Sequence, residues 1–453
     1  MKIVIQGAGA VGSHLAKMLR AEGNAVTVID DDENRLSNLA MMADVSVVKG
    51  NPSSTRVLRD AGVVKADLFI AVYPSEMQEM NIVGALLAKQ LGALKVIARI
   101  NDEDYLSAEN RRYFHDMGIE LMLYPEKIAA DEIVSQLKRS TSSETMDFAS
   151  RSLQIAVFKL DENSPLLDLK LIEFVGRFTP EQAEGFRIIA ISRGGATIIP
   201  KVDTVFQYGD LVFVVAMSDG FSLLVDYFGQ NNLTVDNVMI IGANAIAEMV
   251  ARRLAKEDIG VKIIELNHDR CIELAENLPE DVHIVNGDGR NSDLLFEEGV
   301  KDCDAFVALT GSDETNVLAC VVAKRFGVPR TVAEVENTEY VRLAEDMGID
   351  CVINKKLITA GRIYKFTLGS NARFVKYMRG TDAEVLEYTA GEKSSITKAP
   401  LKDIKFPEGA IICGVTRAGK SMIAVGNTQI EAGDQVAIFA LPRTVKAIDK
   451  LFK

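Results

Sequence analysis

The sequence predicts an α/β protein in which two doubly wound parallel-sheet domains each precede a small α+β domain. Two observations lead to this prediction. A glycine-rich strand–turn–helix–strand pattern occurs at residues 2–30 and again at 236–265. A second pattern, of short strands that include a Gly-Asp turn, occurs at residues 186–217 and again at 410–441. The chain is therefore predicted to contain two tandem copies of one large and one small domain.

The first large domain begins with KIVIQGAGAVGSHLAKMLRAEGNAVTVID at residues 2–30. This segment has a β-branched strand, a glycine turn, an amphipathic helix and a second strand that ends on an acid. Helical patterns separate four further apolar runs, at residues 45–48, 68–72, 95–100 and 120–124. Strands that alternate with helices predict a Rossmann-like parallel sheet with helices on both faces.

The first glycine turn has the spacing of a dinucleotide-binding fingerprint. Gly7, Gly9 and Gly12 form G-x-G-x-x-G between a strand and a helix. These glycines permit a tight turn, close approach of the phosphates and close helix packing, respectively. The helix that begins near Val11 offers unpaired N–H groups to phosphate. Asp30 ends the second strand, where a carboxylate accepts ribose hydroxyls and repels a 2′-phosphate, which favours ATP, ADP or NAD(H) over NADP(H).

Two further residues extend this predicted site. Asn51 follows the third strand, where its amide can contact adenine or ribose, and Arg99 ends the fifth strand at the edge where phosphates lie. A salt bridge within the protein is the alternative role for Arg99. A fold element that has lost its ligand is the alternative to nucleotide binding.

The second large domain repeats the first with a constant offset. Apolar runs at residues 261–266, 282–285, 305–310, 331–335 and 351–354 follow the second fingerprint. Three landmark residues of the first domain recur in the second, and all three are displaced along the chain by the same interval. Such constancy indicates a duplication. The three pairs are Gly7 and Gly242, Asp30 and Glu265, and Arg99 and Glu334.

The second fingerprint departs from the first at the positions that face phosphate. Asn244 and Ala247 stand at the second and third glycine positions. An Asn side chain at the position of closest approach is expected to crowd a pyrophosphate. Glu334 reverses the charge of Arg99, and this repulsion costs about a hundredfold in affinity for an anion. The second site is therefore predicted to be weak, empty or adapted to a less charged adenosine ligand.

The regions between and behind the sheets complete the predicted organisation. Residues 126–140 and 355–370 are amphipathic and helical, and residues 140–145 are a polar linker. Gly209-Asp210 and Gly433-Asp434 mark tight turns between β segments of the small domains. The predicted boundaries are 1–125 and 233–354 for the large domains, 126–145 and 355–370 for the crossover segments, and 146–230 and 371–453 for the small domains.

Composition excludes several classes of function. The net charge is −13 with no basic cluster, which argues against binding to nucleic acid or to an anionic lipid surface. Five dispersed cysteines indicate buried thiols in a reducing compartment. No apolar run reaches the ~18 residues of a membrane span. The four histidines form no metal or catalytic motif, and no acid–base residue accompanies the fingerprints, so the chain is predicted not to be an enzyme.

Several longer stretches resemble the regulatory subunits of Trk potassium-uptake systems, the TrkA family. They are GAGAVGSHLAKML, IARIN (97–101), GDGRNSDLLFEEGV (287–300) and ALTGSDETN (308–316), together with the Gly-Asp-containing small domains. The resemblance covers essentially the whole chain and implies two RCK N-type (KTN) and two RCK C-type domains. It implies a cytoplasmic ring protein, peripheral on the inner face of the membrane, that gates a potassium-translocating membrane subunit in response to NAD(H) or adenine nucleotide.

The resemblance also implies which residues contact the nucleotide, and it shows where this sequence departs. Tyr73 replaces the commoner threonine, and Asn51-Pro52 replaces an acid-led turn. The loop from Tyr73 to Asn81 is two residues longer than the loop from Thr310 to Asn316. The predicted contact residues are Gly7, Ala8, Gly9, Ala10, Val11, Gly12, Asp30, Asn51, Val72, Tyr73 and Arg99 in the first half, and Gly242, Ala243, Asn244, Ala245, Ile246, Glu265, Asp288 and Thr310 in the second.

A regulator of this kind needs two conformations and a ligand that prefers one of them. Duplicated domains that pair through outer helices favour a closed ring, and a homotetramer is predicted. Three alternatives remain open: an NAD-dependent oxidoreductase, a regulatory module of another cation channel or antiporter, and an assembly scaffold without ligands.

Overall fold

The computed structural model describes most of the chain. The described residues are 1–73, 77–138, 144–147, 153–160, 162, 164–194, 196–217, 220–224, 234–364, 372–377, 381 and 383–453. Most of the predicted linker, the end of the second crossover segment and part of the loop after Tyr73 lie outside these residues.

The described chain folds into two compact units, one with both large domains and one with both small domains. One unit contains residues 1–135 and 237–367, which include both parallel sheets. The other contains residues 136–236 and 368–453, which include both antiparallel sheets. The predicted fold class is confirmed, although the sequence order, which alternates large and small domains, did not reveal this grouping.

The first parallel sheet has six strands in the order β3-β2-β1-β4-β5-β6. This is the doubly wound order, in which the chain changes direction between β1 and β4. Its strands are β1 Lys2–Gln6, β2 Ala25–Asp30, β3 Ser46–Lys49, β4 Leu68–Ala71, β5 Lys95–Arg99 and β6 Leu121–Leu123. Its helices are Ala10–Ala21, Glu33–Met42, Thr55–Asp60, Gln78–Leu91, Ala108–Asp116 and Pro125–Leu137.

The second parallel sheet repeats this order as β14-β13-β12-β15-β16-β17. Its strands are β12 Asn237–Ile241, β13 Gly260–Glu265, β14 Val282–Asn286, β15 Ala305–Ala308, β16 Arg330–Glu334 and β17 Cys351–Ile353. Its helices are Ala245–Ala255, His268–Asn277, Ser292–Glu297, Asp313–Arg325, Thr338–Asp346 and Lys355–Tyr364.

Hydrophobic patterning explains how the first fingerprint becomes a strand, a turn and a helix. Ile3 and Ile5 are fully buried, as is expected for a central parallel strand covered on both faces. The helix Ala10–Ala21, called here the first fingerprint helix, buries Leu15 and Leu19, which lie four residues apart on one face.

The two large domains exchange their last helices. The second crossover helix, Lys355–Tyr364, packs against the first fingerprint helix. The first crossover helix, Pro125–Leu137, contributes Asp131 to an ion pair with Arg253 of the second fingerprint helix, Ala245–Ala255. Met249 of that helix also packs against the core of the first domain. The two parallel-sheet domains are thus joined through their fingerprint helices and crossover helices.

The two small domains have matching five-stranded antiparallel sheets, in the orders β10-β9-β11-β8-β7 and β18-β19-β22-β20-β21. One shared apolar cluster includes Phe213 from the first sheet and Phe439 from the second, whose ring centroids are 5.5 Å apart. The strands are β7 Glu144–Asp147, β8 Leu153–Lys159, β9 Phe186–Arg193, β10 Ala196–Ile198, β11 Leu211–Met217, β18 Ala372–Tyr377, β19 Glu384–Thr389, β20 Ala410–Arg417, β21 Lys420–Ile423 and β22 Gln435–Ala440. The helices are Leu171–Val175, Pro180–Glu184 and Val445–Leu451.

Each small sheet contains the same bidentate ion pair. Arg193 donates through Nε and one terminal nitrogen to both carboxylate oxygens of Asp210, at 2.8 Å each. Arg417 binds Asp434 in the same way, at 2.9 and 2.8 Å. Both aspartates are almost fully buried, so the arginines neutralise charges that would otherwise be costly inside the fold.

Within the described part of the chain, no helix has the length and apolar character that a membrane span requires. The same residues contain no cluster of three or more metal-ligating side chains.

Candidate nucleotide-binding sites

Both fingerprints lie at the carboxyl ends of the parallel strands, where the chain changes direction. Gly7 and Gly242 have φ values of +108° and +87°, which L-residues with a side chain rarely adopt. Their amides donate to the carbonyls of Ile29 and Ile264, at 2.8 and 2.9 Å. Each turn is thereby fixed to the end of the neighbouring strand, at the crevice where ligands bind in this fold class.

The third glycine of the first fingerprint is required by packing. A Cβ atom on Gly12 would lie 1.9 Å from the carbonyl oxygen of Gly7. The second glycine differs, because a Cβ atom on Gly9 would meet no atom within 4 Å. Gly9 also has an ordinary φ of −68°. The open space beside Gly9 is therefore available to a ligand.

The first fingerprint helix begins without a side-chain cap. Among the described residues, no side chain hydrogen-bonds at Gly9 in the manner of an N-cap, and the first turn of the helix has no acidic residue. Ala10 is exposed and Val11 is buried at this end of the helix. Uncapped amides and the helix dipole together favour an anion at this position.

Asp30 is placed beside the first fingerprint but is fully buried. Its Oδ2 accepts a hydrogen bond from the amide of Ala8 at 2.6 Å, and its Oδ1 accepts one from the amide of Asp32 at 2.9 Å. The carboxylate therefore binds the fingerprint backbone. For Asp30 to accept the two hydroxyls of a ribose, as the sequence predicts, its buried carboxylate has to become accessible.

Tyr73 lies across the first crevice. Its hydroxyl donates to Oδ1 of Asp31 at 3.0 Å and accepts from the amide of Asp31 at 3.1 Å. Its Cδ2 would be 3.1 Å from a Cβ on Gly7, and the residue is only 2% exposed. Burial is the main cause that raises the pKa of Tyr73 well above its usual range.

Arg99 lies at the expected strand end but has a protein partner. One terminal nitrogen of its guanidinium is 3.0 Å from Oε1 of Glu126, on the first crossover helix. Both side chains are largely buried, with 12% and 15% exposed. Val72 is buried beside the first turn, and Asn51 is exposed, with its Oδ1 accepting from the amide of Ser53 at 2.8 Å.

The second fingerprint helix is capped by its own fingerprint residue. Oδ1 of Asn244 accepts hydrogen bonds from the amides of Ile246 and Ala247, at 3.0 Å each. Its Nδ2 donates to Oε2 of Glu334 at 2.9 Å. The amides that a phosphate would use are therefore already bonded, and a carboxylate lies next to them.

Glu334 is held in place by a lysine. Lys355, the first residue of the second crossover helix, places its Nζ 3.0 Å from Oε1 of Glu334, whose side chain is 4% exposed. Burial lowers the pKa of Lys355, but attraction to Glu334, Glu126 and Glu336 outweighs burial and raises it. Lys355 thus stays charged, and it is attracted to Glu126, the partner of Arg99, as well as to Glu334.

The second crevice is an open cleft of about 560 Å³. Glu265 lies on one side, where its Oε1 accepts from the amide of Asn267 at 2.7 Å. Asp288 forms an exposed ion pair with Arg290 at 2.8 Å, and the hydrogen bonds from Arg290 lower the pKa of Asp288 to about 2. Six of the predicted contact residues line the cleft: Gly242, Ala243, Asn244, Glu265, Asp288 and Thr310. Ala245 and Ile246 belong to the helix behind it.

Two buried asparagines, one in each large domain, organise the two sites, although no sequence motif marked them. Nδ2 of Asn81 donates to the carbonyls of Tyr73 and Arg99, and its Oδ1 accepts from the amide of Tyr73. Asn316 makes the same bonds to Thr310 and Glu334. Each asparagine fixes the ends of two strands to each other. The two are separated by the same interval as the three landmark pairs, and this was the signal that could have identified them.

The comparisons with known proteins agree with this architecture. The TrkA-N domain model matches residues 3–125 and 238–355, and the TrkA-C domain model matches residues 155–229 and 385–453. The chain is similar to the Trk system potassium uptake protein TrkA homolog 1 of Methanosarcina mazei, with 33% identity over 100% of both chains. It is 31% identical to the Trk system potassium uptake protein TrkA of Azorhizobium caulinodans, over 100% of this chain and 99% of that one.

A solved structure shows the same fold at lower identity. The GsuK RCK domain matches with a TM-score of 0.61 and 17% identity, over 100% of this chain and 94% of that chain. The resemblance inferred from the sequence is confirmed. The chain belongs to the TrkA family, with two TrkA-N domains and two TrkA-C domains in tandem.

Proposed function

We propose that this protein is a cytoplasmic nucleotide-sensing regulatory subunit that binds NAD(H), ATP or ADP and gates a Trk-type potassium-uptake membrane protein. Relatives named as Trk system potassium uptake proteins, which match over the full length of the chain, support the potassium-transport role. The role needs a ligand that prefers one of two conformations, and it needs no reactive group.

The start of the first fingerprint helix carries the proposal that the first domain binds the nucleotide. Gly9 leaves this helix end uncapped and open, whereas Asn244 and Glu334 occupy the equivalent end in the second domain. A diphosphate placed at the first helix would accept backbone N–H groups and lie in the positive field of the helix dipole. The same group in the second domain would meet a bonded amide pair and a negative charge.

The identity of the ligand is supported by the fold neighbours. One structure of the GsuK channel, with a TM-score of 0.60 and 18% identity, has bound NAD, and another, with a TM-score of 0.50 and 14% identity, has bound ADP. We extend these ligands to the present chain because Asp30 is next to the first fingerprint, where it selects an unphosphorylated ribose. ATP is included because its ribose and first two phosphates are those of ADP.

The proposed assembly follows from the duplicated domains. A homotetramer would contain eight nucleotide-binding folds, arranged as a closed ring under the membrane subunit. In this proposal the protein is peripheral on the inner face of the membrane and is held there by its partner. To move a gate from 1:99 to 99:1, the ligand must prefer the favoured state by ~10⁴-fold, and several equivalent sites can share this preference.

Calorimetric titration of the full chain with ATP, ADP, NAD and NADH tests the nucleotide step. We expect binding near one site per chain, and the tightest ligand identifies the signal. If none of the four binds, the sensor role is wrong. The gating step is tested by potassium uptake into vesicles that contain a Trk-type membrane subunit, with and without this protein and the tightest ligand. Uptake that is independent of both would contradict the proposed regulation.

A further inference from the structure

The side chain of Tyr73 spans the crevice of the first domain. The residue follows β4, its ring lies against Gly7 at the end of β1, and its hydroxyl reaches Asp31 after β2. A nucleotide bound at the fingerprint has to run from the helix end, past Gly7, to the acid that ends β2. The ring crosses the same strand ends, from β4 beside Gly7 to Asp31 after β2, and so lies on this path.

The equivalent residue of the second domain leaves its crevice open. Asn316 binds the backbone of Thr310 as Asn81 binds that of Tyr73. The amide and the hydroxyl of Thr310 both donate to Oδ1 of Asn316, at 2.9 and 2.7 Å. Its short side chain thus bonds the helix that follows its strand, and it lines the cleft of about 560 Å³. The two crevices thus differ in what covers them as well as in their helix caps.

The neighbours of Tyr73 reinforce the covered arrangement. The asparagine Asn81 fixes the backbone of Tyr73 at both its amide and its carbonyl, so the ring leaves the crevice by rotation of the side chain. Its hydroxyl is bonded to two groups of Asp31. Next to it, Asp30 binds the amide of Ala8. Of the fingerprint amides, that of Ala8 is thereby bonded to a group of the protein itself, whereas the start of the helix stays uncapped.

We propose that Tyr73 competes with the nucleotide for the first crevice and sets the affinity of that site. This inference rests on the proposed nucleotide binding and assigns the residue a role opposite to that of a contact residue. Binding requires the phenol to leave Asp31, and it requires the buried carboxylate of Asp30 to become accessible to the ribose hydroxyls. The protein therefore binds nucleotide more weakly than its intact fingerprint would allow, and its affinity depends on one rotatable side chain.

Substitutions at position 73 in the full-length chain test the proposal, with ADP and NAD as probes. Y73A and Y73T remove the ring, and we expect each to raise the affinity by about tenfold or more, because two hydrogen bonds no longer oppose binding. Y73F keeps the ring without its hydroxyl and should give a smaller gain. Y208A, which removes an exposed tyrosine of the first small domain, is the matched control and should leave the affinity of the first site unchanged.

Fluorine NMR of protein that contains 3-fluorotyrosine gives a second readout. The chain has ten tyrosines, and the resonance missing from Y73F belongs to Tyr73. We expect ADP to move this resonance toward that of an exposed tyrosine. If ADP binds while the resonance stays in place, or if Y73A and Y73T bind no more tightly than the native chain, Tyr73 does not compete and the proposal is wrong, although nucleotide sensing stands. If neither the native chain nor any variant binds, both proposals are wrong.

Discussion

An exchange of residues between the two fingerprints tests whether the capping of each helix decides where the nucleotide binds. Gly9 and Asn244 occupy equivalent positions, the second glycine position of each fingerprint. Gly9 has an extended backbone with φ of −68° and ψ of −171°, and no atom lies within 4 Å of a Cβ placed on it. The variant G9N therefore gives the first helix the side chain that caps the second, without a clash at its Cβ.

The expected effects of G9N on stability and on binding have opposite signs. Replacing glycine in a compatible conformation stabilises the native state by about 0.4–1 kcal/mol, and an Asn cap adds a few tenths. We expect the free energy of unfolding to rise by about 1 kcal/mol. The new side chain would occupy amides that otherwise bind phosphate. Loss of one hydrogen bond to a charged group costs about 2 kcal/mol, or roughly 30-fold in affinity.

The reverse variant, N244G, is expected to lose stability. It removes the cap of the second helix and the 2.9 Å hydrogen bond to the buried carboxylate of Glu334. Together with the added backbone entropy, these losses amount to about 2–4 kcal/mol.

Urea unfolding and calorimetric titration with ADP measure both quantities on the same samples. A G9N variant that unfolds at higher urea yet binds ADP more weakly supports the reasoning, because a general loss of structure would lower both. A variant that gains stability and binds ADP as the native chain does would refute the assignment of phosphate to the first helix end.

Three further predictions concern two buried carboxylates and one half-buried histidine. E334Q should lower the free energy of unfolding, measured by urea titration, by about 1–3 kcal/mol, because Lys355 loses its closest counterion. The matched control is E336Q, at a side chain that is 59% exposed. It should change the free energy of unfolding by less than about 0.5 kcal/mol. R193A should lower the free energy of unfolding in urea by about 3 kcal/mol, because it leaves the buried carboxylate of Asp210 without its counterion. R193K should give an intermediate loss, because a lysine cannot bind both carboxylate oxygens. A loss in R193K equal to that in R193A would show that charge alone is insufficient. Burial, with smaller contributions from Lys356 and Lys17, lowers the pKa of His14 below its usual value of 6.5. The neutral imidazole therefore contributes stability that is fully present above pH 6.5 and is lost as the pH falls through the lowered pKa. Thermal melts between about pH 7.5 and about pH 5.5 should show this loss in the native chain and less of it in H14Q.

The sequence was sufficient to predict the sheets because local patterning and sheet position agree. Buried runs such as 68–71 are apolar throughout, and a central parallel strand requires this pattern. The constant offset between the two halves then made each domain a check on the other. The exchange of crossover helices was not predictable in this way, because an amphipathic helix shows that it needs a partner without showing which domain provides it.

The sequence indicated where the residues of the candidate site lie, but it did not indicate which groups their side chains contact. Asp30 and Arg99 lie where the sequence placed them, at strand ends beside the first turn. Their bonds to Ala8 and Glu126 depend on side-chain distances that no spacing in the sequence encodes. Tyr73 is the clearest case, since its position after β4 was known but its reach to Asp31 depends on the rotamer of one ring.

In the second domain, the residues that depart from the fingerprint depend on one another through their contacts. Asn244 caps the helix, and its side-chain amide donates to Glu334, which in turn needs the charge of Lys355 in order to stay buried. Restoring glycine at Asn244 would leave the carboxylate of Glu334 facing the vacated helix end, where it would still repel phosphate. Removing Glu334 alone would leave Asn244 as a cap and Lys355 without its closest counterion. Each residue therefore stabilises the next, and no single substitution is expected to convert this cleft into a phosphate site.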